Sequence, residues 1–210
     1  MEGVAAYGLD LIAMSIFKPI ESYRRRQGYQ LVAGLDEVGR GAWAGPLVAA
    51  ALILKPYVKL PDLRDSKQVT PLARARWAKR IISRAISFSY GLVSEKEIDK
   101  VGISEANNLA FRRAVSGLKP QPDYVLADYF SVENCFCPIE GVRDGDKCVR
   151  VIAAASIIAK VYRDAILIKA DRRFPGYSFA EHKGYGTAAH RRVIKKLGLS
   201  PYHRKSFHCL

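Results

Sequence analysis

Two apolar runs meet at a pair of acids, and this meeting constrains the fold more than any other feature of the chain. Leu31 to Leu35 leads into Asp36 and Glu37, a turn carrying Gly39, Arg40 and Gly41 follows, and Leu47 to Leu54 leads away again. Runs of small and β-branched residues of this length read as central strands, so the turn is supported on both sides by buried strand. Ionised carboxylates beside such a core are costly unless a cation neutralises them. A metal ion is the economical partner. Gly39 and Gly41 lack a Cβ, which lets the backbone approach a ligand closely and presents Arg40 beside the acids.

The chain of 210 residues is long enough for one sizeable core. We read residues 1–29 as an N-terminal extension and residues 30–210 as one folded domain. The net charge is +14, from 34 Lys and Arg against 20 Asp and Glu, while 49% of residues are hydrophobic. That combination describes a folded protein with a polyanionic partner and excludes a disordered basic tail. Charge that serves only solubility is the bland alternative, and the carboxylates argue against it. The cysteines, Cys135, Cys137, Cys148 and Cys209, are unevenly spaced, as expected of reduced thiols in a cytoplasmic protein. No Cys-x-x-Cys pair is present to suggest zinc. Met1 to Ile20 contains Glu2 and Asp10 and lacks a basic leader, so it does not read as a signal peptide, and no run is apolar enough to span a bilayer. A monomer without membrane attachment is the expectation.

Punctuation along the chain places the remaining elements. Ser22 to Gly28, with Arg24, Arg25 and Arg26, reads as a basic link into the first strand. Asp65, Ser66 and Lys67 form a loop ahead of a helix capped by Thr70, with Pro71 at its first position. Ile86 to Val93 alternates as a strand. Ser94 and Glu97 then fit a capping box, Gly102 ends the short helix that follows, and Ser104 opens another that reaches about Leu118. Tyr124 to Asp128 is a short buried strand that, like the first, ends in an acid. Ser131 to Val149 carries few signals beyond an acid-rich turn with Asp144 and Asp146. Apolar residues recur at helical spacing from Ile152 to about Arg173. Phe174 to Tyr177 breaks that helix, a glycine-rich loop runs from Glu181 to Thr187, and Thr187 caps a last helix, Ala188 to Leu197, with a basic outer face.

Carboxylates on strand ends and turns of a strongly basic chain indicate a hard-cation site facing a phosphate backbone, and oxygen-only ligands favour magnesium or manganese. A pair of such ions suits in-line phosphodiester hydrolysis. From spacing alone Asp36 and Glu37 are the firmest ligands, then Asp128, with Asp144, Asp146 and Asp164 competing for a fourth place.

Five ordered motifs resemble the ribonuclease HII family, the type 2 bacterial ribonucleases H. They are Gly34 to Gly41 with Ala44-Gly45-Pro46; Asp65-Ser66-Lys67; Ala153 to Lys160 with Arg163 and Asp164; Phe174 to Tyr177 with His182 to Thr187; and Ser200 to Arg204. The resemblance spans about Gln30 to Phe207. It implies an α/β ribonuclease H-like fold, a mixed central sheet flanked by helices with a C-terminal helical part that helps hold the hybrid. It also implies an endoribonuclease that uses Mn2+ or Mg2+. The substrates would be RNA/DNA hybrids and single ribonucleotides embedded in duplex DNA, cut on their 5′ side to leave 3′-hydroxyl and 5′-phosphate ends.

Carried over residue by residue, the family's catalytic metal-binding acids fall on Asp36, Glu37, Asp128 and Asp146. Asp164 then orients or neutralises its neighbours. The turn Gly39-Arg40-Gly41 resembles the family's reader of the 2′-hydroxyl, the group that separates RNA from DNA. Tyr185 matches the tyrosine that packs on the sugar after the scissile phosphate, and Lys67 and Lys183 are expected to contact phosphates. Two departures stand out: Asp144 where a lysine is usual, and Tyr129 where a glycine is usual. The type 3 relatives are one rival, against which Arg40 in the turn and the shortness of the stretch ahead of the domain speak. A non-catalytic nucleic-acid-binding protein is the other, and acids at all four positions oppose it, because unneutralised carboxylates repel phosphate.

Overall fold

Val32–Val38 (β1) and Leu47–Leu54 (β2) form the expected buried pair, antiparallel, with every residue of β2 fully buried. An uninterrupted apolar strand requires cover on both faces, and it has it. A computed structural model of the chain describes residues 17–60, 63, 70–129 and 135–207. Within them Ala85–Val93 (β3) pairs antiparallel with β2, Tyr124–Asp128 (β4) pairs parallel with β1, and Ile139–Val142 (β5) pairs parallel with β4. The result is a five-stranded mixed sheet in the order β3-β2-β1-β4-β5.

Strand alternation divides the core into two layers. Val32, Leu52, Leu54 and Leu126 face one side, where they pack against the helices Pro71–Ile82 (α2) and Arg150–Arg173 (α5). Ala33, Leu35, Ile53 and Val125 face the other, against Glu95–Ser116 (α3). α5 lies directly on β1 because Gly34 has no side chain: a Cβ there would stand 2.3 Å from the Val151 carbonyl oxygen.

Local signals start the helices where the sequence places them. Thr70 Oγ1 accepts from the Ala73 amide with Pro71 at the first position, and Ser94 and Glu97 exchange both bonds of a capping box. Gly102, at φ 77° and ψ 162°, breaks α3 in its second turn. Thr187 Oγ1 accepts from His190 N at the start of Ala188–Leu197 (α7). The sequence reading did not contain β5, or the one-turn helices Gly145–Cys148 (α4) and Phe179–His182 (α6). The basic link expected over 22–28 is mostly a helix, Ile20–Arg26 (α1), whose buried Glu21 pairs with Arg150 at 2.9 Å. No helix among the described residues is long and apolar enough to cross a membrane.

Candidate active site

The carboxyl ends of parallel strands are where an α/β sheet leaves room for a ligand, and here β4 ends in Asp128 while β1 carries Asp36 and Glu37 just before its last residue. The β1–β4 register pairs Leu35 with Ala127, so Asp36 and Asp128 stand beside each other one step further on. Both share the parity of Val32 and Leu126, which carries them to the α5 face. Asp36 is buried, and its Oδ1 accepts from the Glu37 amide at 2.8 Å. Asp128 Oδ1 accepts from the Gly145 amide at 2.8 Å, which ties α4 to the end of β4. Asp146, the next residue, lies half-buried in the first turn of α4.

The surroundings of Glu37 press on its charge. Burial, and then the charge of Asp128, push its carboxyl up to about 7, with Arg40 pulling the other way. Glu37 lines a cleft of about 240 Å³ with Arg74, Ser156 and Lys160. Asp128 lines a second, of about 420 Å³, with Arg40, Tyr129, Arg143 and Asp144. Asp146 is not among the residues lining either. Asp144 is exposed and ion-paired to Lys147 at 2.6 Å, and Asp164 is paired to Lys160 at 2.8 Å, one helical turn away. Among the described residues no three His, Cys, Asp or Glu side chains form a cluster able to hold a metal ion as they stand. Two of the four acids each give one oxygen to a backbone amide, and Glu37 and Asp128 repel each other. The donor chemistry nevertheless fits a hard divalent cation: carboxylate oxygens on adjoining strands, in a repulsion that a cation would relieve.

Next to the acids, the turn from Gly39 to Pro46 rests on two fully buried arginines, which the sequence reading quotes within family motifs without giving them a role. Gly39 adopts φ +90°, and a Cβ there would stand 2.1 Å from Arg163 Nε. Arg163 donates to the carbonyls of Pro46 (2.9 Å), Ala44 (3.0 Å) and Lys183 (2.9 Å). Arg204 donates to the carbonyls of Gly45 (3.1 and 2.9 Å) and Arg40 (2.9 Å). Burial lowers the pKa of both guanidinium groups, that of Arg204 to about 9. Backbone bonds complete the cradle: Trp43 N donates to Gly184 O, Gly45 N to Tyr202 O, and Arg204 N to Trp43 O. Arg163 had one signal in the sequence, since it interrupts the buried stripe Ala159, Arg163, Leu167 at four-residue spacing. Arg204 had none.

This cradle brings the remaining predicted residues together. Arg40 and Gly41 are exposed on the turn. Tyr185 is half-buried, its ring centroid 5.4 Å from Arg163 Cζ and 5.8 Å from Lys160 Nζ. Lys183 adopts a left-handed φ of 51°, and its Nζ donates to the Ala180 carbonyl, so its ammonium folds back on its own loop. Lys67 lies outside the described residues. Tyr129 has φ 61° and is 65% exposed. The left-handed backbone gives a physical reason for a glycine to be favoured at that position.

A sequence profile of the family described as Ribonuclease HII matches residues 33–210. The Ribonuclease HII of Dehalococcoides mccartyi is 45% identical over 190 residues, covering 89% of this chain and 90% of that protein. That of Syntrophotalea carbinolica is 44% identical, covering 87% of each. Among solved structures, the ribonuclease H2 from Pyrococcus horikoshii superposes with a TM-score of 0.71 at 25% identity, covering 86% of this chain and 95% of that one. The RNase HII in a PCNA:RNase HII complex from Archaeoglobus fulgidus superposes with a TM-score of 0.72 at 22% identity, covering 85% and 95%.

Proposed function

This chain belongs to the ribonuclease HII family, and on that premise we propose that the paired strand ends at Asp36 and Asp128 are where it hydrolyses the RNA strand. It is a metal-dependent endoribonuclease acting on ribonucleotides in RNA/DNA hybrids. The observation that supports the site is the parallel register, in which Leu35 pairs with Ala127 and the residues that follow them are Asp36 and Asp128, together with the cleft that Asp128 shares with Arg40.

Asp36, Glu37, Asp128 and Asp146 would hold Mg2+ or Mn2+. When bound there, divalent cations supply an activated water and neutralise charge building on the leaving oxygen. Arg40 offers a guanidinium to the phosphate beside the acids. The backbone of Gly39 and Gly41 reads the 2′-hydroxyl at close range, and Tyr185 packs on the following sugar, where a second 2′-hydroxyl would clash. That arrangement favours an isolated ribonucleotide, cut on its 5′ side to leave 3′-hydroxyl and 5′-phosphate ends. Lys67 steadies a flanking phosphate, and Lys183 does so once its ammonium swings away from the Ala180 carbonyl. The domain that does this is residues 30–210, with 1–29 as an extension, and it acts as a cytoplasmic monomer drawn to nucleic acid by its positive charge.

A duplex with one embedded ribonucleotide, incubated with Mg2+ or Mn2+ and again with chelator, tests the reading. A single 5′ cut that chelator abolishes, while binding persists, is expected. Cleavage undiminished by chelator, or binding with no cut in either metal, would overturn it. Tyr185→Ala should lose more activity on that duplex than on a long hybrid, and equal losses would remove Tyr185 from the recognition of the sugar.

A further inference from the structure

Behind the loop that carries Tyr185 lie three histidines for which the reaction has no use. His190 and His203 are essentially inaccessible and His182 is 9% exposed. The rings of His182 and His190 stack at 3.9 Å between centroids, and His190 Nε2 meets His203 Nε2 at 3.0 Å. Phe179 sets its ring edge-on against the first two.

With all three rings neutral, the contacts admit one set of tautomers. His182 Nε2 donates to the Tyr177 carbonyl (2.7 Å), leaving Nδ1 to accept from the Gly184 amide (3.1 Å). His190 Nδ1 donates to the Tyr185 carbonyl (3.0 Å), leaving Nε2 to accept from His203 Nε2. His203 Nδ1 then accepts from the Ser200 amide (2.9 Å) and hydroxyl (2.8 Å). Every ring nitrogen is used. The backbone on either side of the Gly184–Tyr185 peptide is thereby tied, through imidazoles alone, to the breaks that begin α6 and follow α7. A proton on His190 Nε2 would set donor against donor.

Burial lowers the pKa of all three, that of His190 to about 4. His182 feels Glu181, Asp171 and Lys183 from its own loop and from α5, whereas the other two feel chiefly imidazoles.

We propose that His182, His190 and His203 are positioning residues for Tyr185: a stacked and hydrogen-bonded cluster of neutral imidazoles that sets where the ring stands, and with it the preference for an isolated ribonucleotide. The proposal rests on the reading of Tyr185 as the residue that packs on the sugar. A buried hydrophobic filler would serve equally well if these residues only occupied space. A shift in substrate preference is the signature that separates the two roles.

The readout is the ratio of turnover on a duplex with one ribonucleotide to turnover on a long hybrid, which cancels effects common to both. His190→Phe keeps the flat stacked ring and removes both bonds, and should lower the ratio about tenfold, the order of one or two buried hydrogen bonds. His203→Phe should do the same. His203→Gln, whose amide can still donate toward His190 Nε2, should recover most of the loss; both variants equally forgo the ring nitrogen that accepts from the Ser200 amide and hydroxyl. Equal losses on the two substrates, or His203→Gln no better than His203→Phe, would overturn the proposal. Tyr185→Ala runs in parallel. If it leaves the ratio unchanged, the reading of Tyr185 falls and takes the proposal with it. If it lowers the ratio while the histidine variants do not, the proposal alone falls. Should His190→Phe not fold, the His203 pair decides.

Discussion

Asn in place of Asp36 keeps the shape and removes the charge. The side chain would still accept from the Glu37 amide, so the strand end should survive while the affinity for a divalent cation does not. Asp36→Asn is therefore expected to slow cleavage by about a thousandfold or more, the several kcal/mol a bound cation supplies, with hybrid binding still measurable by titration. A rate near wild type would remove Asp36 from the site. Tyr129 offers a test of backbone conformation. Its φ of 61° is one a side chain resists, and its ring is mostly exposed. Tyr129→Gly should stabilise the protein by about 1 kcal/mol, read as a higher denaturant midpoint, and an unchanged or lower midpoint would contradict that account. At this scale Asp36, Glu37 and Arg40 were legible because acids and glycines interrupting apolar strands have few structural explanations. The burial of Arg163 and Arg204 under the turn was not, since an arginine in sequence looks like a solvated one even inside a family motif.

Elements were legible where periodicity or a cap announced them. β1, β2 and β4 are apolar runs ending in acids or turns, and α2, α3 and α7 start at Thr70, Ser94 and Thr187 through side-chain bonds to their own amides. β5, α4 and α6 are four residues each and have no period to read. They exist because neighbours hold them: β4 pairs with β5, Asp128 binds the amide that opens α4, and His182 at the end of α6 binds the carbonyl of Tyr177. The α7 region also carries a pH dependence. The His190 pKa falls from 6.5 to about 4 on folding, so the unfolded chain takes up the proton first. The stability due to keeping this ring neutral is complete above pH 6.5 and is lost as pH falls toward 4, on the order of 3 kcal/mol in all. In chemical denaturation, His190→Phe should show a shallower decline of unfolding free energy over that interval, by up to about 1.4 kcal/mol per pH unit. Parallel declines in the two proteins would mean that His190 is not held neutral.

Across the whole molecule, the candidate site is assembled from segments far apart in the chain. The turn 39–46, the loop 182–187 and the segment 200–204 share one set of backbone bonds, and Arg163 and Arg204 are the buried cations that satisfy the carbonyls where these segments meet. Arg204→Met would fill the volume and leave the Arg40 and Gly45 carbonyls without these donors. A loss of about 3 kcal/mol in stability is expected, together with a fall in cleavage larger than that fraction unfolded explains, because the carbonyl of Arg40 is itself released. Cleavage that simply tracks the folded fraction would show that Arg204 supports the fold and not the turn.

Composition and pattern alone determined the central strands, the acids at their ends, the capped helices and the polyanionic partner, because each is written in neighbouring residues or in a sum over all of them. The tertiary structure decided which acids stand together, what lies under the turn, and that three histidines from separate stretches of chain meet behind Tyr185. Those are contacts between residues distant in sequence: the register of parallel strands brings the acids to one end of the sheet, and the backbone bonds that join the turn to the C-terminal segments bring the rest within reach.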